Sequence, residues 1–332
     1  MVSRSLKFLS LFLIIPALIS SINADDKAVE KKAYLDAESA GIDYKIQGEY
    51  SGALKVDDTE LKLGIQVIAQ GSSKLAFAAY VGGLPGDGWD GDSVIRGTGE
   101  VKDGAGFLTS DQGRAEIHGS VLTVYSGSGA KAGELKKVDR QSPTIGMKPP
   151  EGAVVLFDGT TADNFENGRM SDDKLLMEGV TSKQKFGDFQ LHLEFRLPYM
   201  PNARGQARGN SGCYLQGRYE VQVLDSFGLS GADNECGGIY KVSRPSVNMC
   251  FEPLKWQTYD VDFKAARFDS EGKKTSDAVV TIKHNGVIIH NQRKLTITPG
   301  GPLSAETADP GPLFLQNHGD PVRFRNIWVK AL

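Results

Sequence analysis

The chain has 332 residues, with 38 basic and 41 acidic side chains and a formal net charge of −3. No Lys/Arg cluster stands out, which excludes nucleic acid and anionic membrane as main partners and suits a neutral ligand. The 39 glycines and 14 prolines, with no sustained helical period, exclude a helical bundle and point to a sandwich or barrel.

The N-terminus predicts export. Arg4 and Lys7 form a positive start, Phe8 to Ile19 is apolar apart from Ser10 and Pro16, and small and polar residues lead to Ala24. That order is a secretory signal peptide over 1–24, and the apolar run falls short of the ~20 residues a spanning helix needs. The exported product is expected in the periplasm or outside the cell. Residues 25–140 are expected to form a small β-domain of unknown role. A polar lead-in to about residue 45 precedes strand-like runs at Leu61–Ala69, Leu75–Val81, Gly106–Thr109, Ala115–His118 and Val121–Tyr125. The Pro/Gly-rich stretch QSPTIGMKPPEGA, residues 141–153, reads as a linker.

A second domain is predicted over 154–332. Strand candidates lie at Phe189–Arg196, Gly212–Gln216, Tyr219–Leu224, Gln257–Phe263, Ala278–His284, Val287–His290, Pro312–His318 and Val322–Val329. HNG at 284–286 reads as a tight hairpin turn. About eight strands over such a length predict an all-β jelly-roll sandwich of two sheets. Three cysteines are present. Cys236 and Cys250 are expected to lie close enough to bridge, and Cys213 to be buried and unpaired. No spacing predicts zinc.

Side chains alternate across a strand, so each strand has a core face and an open face. By phase, His192, Glu194 and Arg196 oppose Leu191, Leu193 and Phe195. Tyr214 and Gln216 oppose Cys213 and Leu215. Glu220 and Gln222 oppose Val221 and Val223, and Gln316 shares a phase with His318. The expectation is one concave sheet surface lined by these polar groups. Such a surface suits a sugar, with amides for hydroxyls, an aromatic for a ring face, and carboxylate plus imidazole for proton transfer. Glu220, His318 and Glu194 are the catalytic candidates. Arg196, Arg208, Asn210, Tyr214, Gln216, Gln222 and Gln316 are the substrate-binding ones, with Arg208 and Asn210 at the rim. His192, His284 and His290 read as structural. No cofactor is specified, although Glu and His together could hold a divalent cation.

The runs RGNSGCYLQGRYEVQVLDSFG (208–228), NECGGIY (234–240), WQTYDVDF (256–263), HNGVIIH (284–290) and PLFLQNHGDPVRFRNIWV (312–329) resemble the 3-keto-disaccharide hydrolase family. The resemblance covers about 152–332. It implies a concanavalin-like (lectin/glucanase) jelly roll and cleavage of glycosides already oxidised at carbon 3. The proton at carbon 2 is removed and the group at carbon 1 expelled, with hydration of the resulting enone in some members. It also implies a functional link to a sugar 3-oxidoreductase. Two other readings stay open. One is a non-catalytic carbohydrate-binding module. The other is an ordinary glycoside hydrolase with Glu194 and Glu220 at a carboxyl separation of about 5–5.5 Å for retention or about 6.5–9.5 Å for inversion.

Overall fold

In the computed structural model, residues 31–56 and 59–332 are described; the expected signal peptide lies outside them. After a one-turn helix, α1 (Gly41–Ile46), the chain forms eight antiparallel strands: β1 (Gly48–Val56), β2 (Thr59–Ala69), β3 (Lys74–Val81), β4 (Val94–Lys102), β5 (Ala105–Ser110), β6 (Gly113–His118), β7 (Val121–Ser126) and β8 (Lys131–Val138). Each pairs with the next, and β8 returns to β1 at Glu49↔Val138, closing a barrel. Closure leaves no unpaired edge. Inward phases carry Leu63, Ile65, Val67, Leu75, Phe77, Ile117, Leu122 and Leu135, and α1 adds Ile46 to this core. Strands β1, β4 and β8 lack a clear apolar run. In β4 the inward phase includes Gly97 and Gly99, where a β-carbon would collide with the Phe77 ring and with Leu108.

Outward residues of the barrel join it to the rest of the chain. Glu49 is fully buried and takes a 2.6 Å hydrogen bond from Arg140 Nε. Gln66 donates to Glu49 and accepts from Tyr80. Arg96 donates to the Gly228 carbonyl at 2.8 Å.

The second part comprises β9 (Val154–Phe157), β10 (Phe165–Glu166), β11 (Leu176–Met177), β12 (Val180–Phe186), β13 (Phe189–Arg196), β14 (Ser211–Leu215), β15 (Tyr219–Val223), β16 (Trp256–Lys264), β17 (Arg267–Phe268), β18 (Lys274–Ser276), β19 (Ala278–His284), β20 (Val287–Leu295), β21 (Gly311–Leu315) and β22 (Arg323–Ala331). One sheet runs β10-β12-β21-β14-β15. The other runs β11-β22-β13-β16-β19-β20, with β9 also on β22. Leu191, Leu193, Phe195, Val261 and Ile282 from the larger sheet meet Cys213, Leu215, Val221, Val223 and Leu315 from the smaller in one core. This is the expected two-sheet jelly-roll-like sandwich. Hairpin turns fall at Asn285–Gly286, with φ 49° and 81°, and at Gln216–Gly217, with φ 52° and 65°. Consecutive left-handed residues match the twist of the flanking strands.

The stretch 141–153 does not hang free. Thr144 Oγ1 donates to Asp260 Oδ2 at 2.7 Å, Gly146 N–H donates to Glu194 at 2.6 Å, and Trp328 Nε1 donates to the Met147 carbonyl at 3.2 Å. It therefore covers the outer face of the larger sheet. Cys213, Cys236 and Cys250 are all free and buried. Cys236 Sγ lies 3.3 Å from Tyr259 Oη, and the Cys250 thiol donates to the Leu224 carbonyl at 3.5 Å. The expected bridge is thus replaced by a pair of thiols. Among the described residues no helix is long and apolar enough to cross a membrane.

Candidate active site

Among the described residues, the outer face of the smaller sheet carries a cluster that unites several of the candidate residues. Tyr214 and Glu220 face each other across β14 and β15. Tyr214 Oη donates to Glu220 Oε2 at 2.7 Å, and Gln316 Nε2 donates to Tyr214 Oη at 3.2 Å. Two residue pairs further on, on the same face, Gln222 sits opposite Gly212. Gln222 Nε2 donates to Asn210 Oδ1 at 2.8 Å, and the Asn210 N–H donates to Asp320 Oδ2 at 2.8 Å. The predicted alternation of Tyr214, Glu220, Gln222 and Gln316 on one face is therefore found within this sheet.

Gly212 makes room for the carboxyl. A β-carbon there would overlap Glu220 Oε1, because the side chain of Glu220 lies back across β14. The segment after β20 closes the cluster from above. Thr298 Oγ1 accepts the Glu220 N–H at 3.1 Å. Gly301 is packed so closely that a β-carbon would stand 3.0 Å from Tyr214 Oη and 3.2 Å from Gln316 Nε2. Glu220 is only 3% exposed. Burial pushes its carboxyl up to about 7, and the Tyr214 hydrogen bond opposes the shift only in part. No charged neighbour contributes. A carboxyl that titrates near neutrality can serve as acid or base without a large driving-force penalty. Burial likewise raises Tyr214, so its phenol stays a proton donor.

Two buried amide oxygens, Gln222 Oε1 and Gln316 Oε1, have no hydrogen-bond partner. Unpaired buried acceptors are costly, and hydroxyl donors from a ligand would satisfy them. Gly212, Thr298, Gly301 and Asp320 were not singled out by sequence reasoning. The PGG run at 299–301 was the one available signal, since adjacent glycines permit close approach of backbone to a ligand or side chain.

Five candidates lie outside this cluster. Glu194 is on β13 of the larger sheet and points to the opposite outer face of the sandwich. It accepts from Gly146 N–H, from Asn326 at 2.9 Å and from Arg325 Nε at 2.6 Å, and contacts His192. Burial favours its neutral form, but these donors prevail and hold it down to about 2. It is an anchor for the covering segment, not a partner of Glu220. Arg196, on the same outer face, sits 5.2 Å over the Trp256 ring. Gln216 occupies the left-handed turn and donates to the Phe186 carbonyl at 2.9 Å, so the turn takes it out of the strand phase. Arg208 is buried, pairs with Asp225 at 2.6 Å and donates to the Ala69 carbonyl, tying sandwich to barrel. His318 is exposed on the loop after β21 and makes no hydrogen bond among the described residues. His192, His284 and His290 are buried in hydrogen bonds with Asp260, Gln257 and the Gly237 carbonyl.

Among the described residues no three His, Cys, Asp or Glu side chains converge to hold a metal ion. Glu220, with one phenol as its polar partner, does not form part of a cation donor set.

Residues 152–330 match the model of the 3-keto-alpha-glucoside-1,2-lyase-like domain. Among solved structures, a candidate glycosyl hydrolase from Parabacteroides distasonis ATCC 8503 at 2.13 Å is 35% identical, with TM-score 0.50, over 55% of this chain and 85% of its own. A second candidate glycosyl hydrolase from the same organism, at 1.70 Å, is 19% identical with TM-score 0.39, over 55% of this chain and 94% of its own. No curated protein matches the chain. The expected family resemblance and jelly-roll fold are borne out, and the chain is similar to carbohydrate-active proteins.

Proposed function

We propose that this chain, which belongs to the 3-keto-alpha-glucoside-1,2-lyase-like family, cleaves 3-keto-glycosides by elimination across carbons 1 and 2, with Glu220 as the proton-transfer group. The observation that carries this reading is a buried carboxyl raised to about 7 whose direct side-chain partner is the Tyr214 phenol.

A ketone at carbon 3 delocalises the charge left when carbon 2 loses its proton, so a single positioned base suffices. As carboxylate, Glu220 takes that proton. The C–H electrons form the carbon 1–carbon 2 double bond, the carbon 1–oxygen bond breaks, and the aglycone oxygen leaves with a proton. His318, on the loop just past Gln316, is the proposed proton donor, and protonated Glu220 is its rival. Water added to the enone would give the free 3-keto sugar. Gln222 and Gln316 are proposed to take sugar hydroxyls on their unpaired oxygens. Because Glu220 is sealed, the Thr298–Gly301 segment has to lift for substrate to enter.

An ordinary two-carboxylate hydrolase fits less well. It needs a second carboxyl within about 5–9.5 Å, and Glu194, the second carboxylate expected, stands on the opposite outer face of the sandwich. A binding module would have no use for a near-neutral carboxyl. The N-terminal charge and apolar pattern supports export, and the substrate chemistry supports a companion sugar 3-oxidoreductase. The test is incubation of the purified chain with a 3-keto-disaccharide beside its unoxidised parent. The expected outcome is cleavage of the ketone only. Cleavage of the parent alone would reject the proposal.

A further inference from the structure

The barrel interior is only partly filled. One end is filled by Ile46, Tyr50, Val67, Leu122 and Leu135. Toward the other end lies a cavity of about 310 Å³ to which all eight strands contribute, among them Leu54, Ile65, Phe77, Ile95, Leu108 and Val124. Its polar lining is confined to residues near the strand ends, such as Ser110, Gln112 and Ser126. Packed cores leave few voids larger than a water molecule. A space this large falls instead in the range of about 300–1,000 Å³ found for small-ligand pockets. An eight-stranded barrel is also about the width at which the interior is either filled by side chains or holds one small ligand. Here the wall is recessed by design of the sequence. Gly97 and Gly99, between Ile95 and Val101, leave the middle of β4 without inward side chains, so the Phe77 ring and Leu108 lie against its backbone.

We propose that this cavity binds one small uncharged apolar molecule, with at most a hydroxyl or similar group at the rim. Apolar cavities stay dry and accept apolar guests. The cations near the rim are already engaged: Arg114 by Glu116 and, at 4.0 Å, by the Tyr125 ring, and Lys131 by Glu134 at 2.6 Å. They offer little to a carboxylate. The lining comes wholly from the barrel, so this site is separate from Glu220 and does not depend on the proposed reaction.

The test is titration of the full chain with N-phenyl-1-naphthylamine, a neutral dye that brightens in apolar surroundings, displaced by 1-dodecanol or dodecanoate. The expected result is one saturable site, displaced at least ten-fold more readily by dodecanol than by dodecanoate. Ala132→Trp, at a half-buried lining position, and Ala115→Leu, deeper in the cavity, should each weaken the dye at least ten-fold. Glu220→Gln should leave it unchanged. Thermal unfolding confirms that each variant is folded. No saturable site, or full binding in both filled variants, would overturn the proposal. Equal displacement by dodecanoate would overturn the assignment to an uncharged ligand.

Discussion

Tyr214 Oη lies 2.7 Å from Glu220 Oε2, donated across two directly paired residues of neighbouring strands. The pair ties together a phenol kept protonated and a carboxyl held near neutrality, both by burial. The phenol lowers the carboxyl, so removing it leaves burial unopposed.

The pH profile of cleavage should therefore rise as Glu220 loses its proton, with an apparent pKa of about 7. In Tyr214→Phe the limb should move to higher pH, read from kcat/KM against pH. An unmoved limb would separate Glu220 from the titration.

Glu220→Gln should lose activity by about 10²–10⁴-fold yet keep or gain stability at pH 8. A carboxyl raised from 4.5 to about 7 favours the fold only while protonated. That contribution is complete below the ordinary carboxylate range and lost as pH rises through about 7, on the order of 3 kcal/mol. Urea unfolding of both proteins at pH 5 and pH 8 measures it. The variant should gain relative to the parent at the higher pH.

Gly212→Ala should lower kcat with little loss of folding, because the new methyl group displaces the Glu220 carboxyl. A pH limb shifted from that of the parent would mark the displacement.

Glu194→Gln should behave in the opposite way. Its loss breaks the pairing of a buried carboxylate with the half-exposed Arg325 and leaves the Gly146 N–H without its acceptor, at a cost of about 1–3 kcal/mol. The folded fraction should cleave normally. With the native carboxylate held down to about 2, its stabilisation is present above the ordinary range and fades as pH falls toward that value. Denaturation midpoints from pH 5 to pH 2 follow this.

How much of this was legible in the sequence depends on the residue. The strand phase of Tyr214, Glu220, Gln222 and Gln316 could be read directly, since alternation fixes a face. Alternation does not say which sheet a strand joins. Glu194 shares the phase but sits on β13, whose neighbours are β16 and β22. Gln216 was misplaced because the hairpin turn begins one residue earlier than the apolar pattern suggests. Arg208 reads as a rim residue until its partner Ala69, 139 positions away, is known. The sequence read as a small β-domain without showing its closure into a barrel, because Gly97 and Gly99 interrupt the inward apolar pattern of β4. Cys213 is buried and unpaired as expected, and Cys236 and Cys250 are buried free thiols as well.

The most direct measurement of the central claim is exchange at carbon 2 of a 3-keto-glycoside in deuterium oxide, followed by NMR with the parent chain and with Glu220→Gln. Deuterium at carbon 2 or cleavage is expected with the parent, with loss of both in Glu220→Gln while Glu194→Gln retains them. Undiminished exchange and cleavage in Glu220→Gln would contradict that claim.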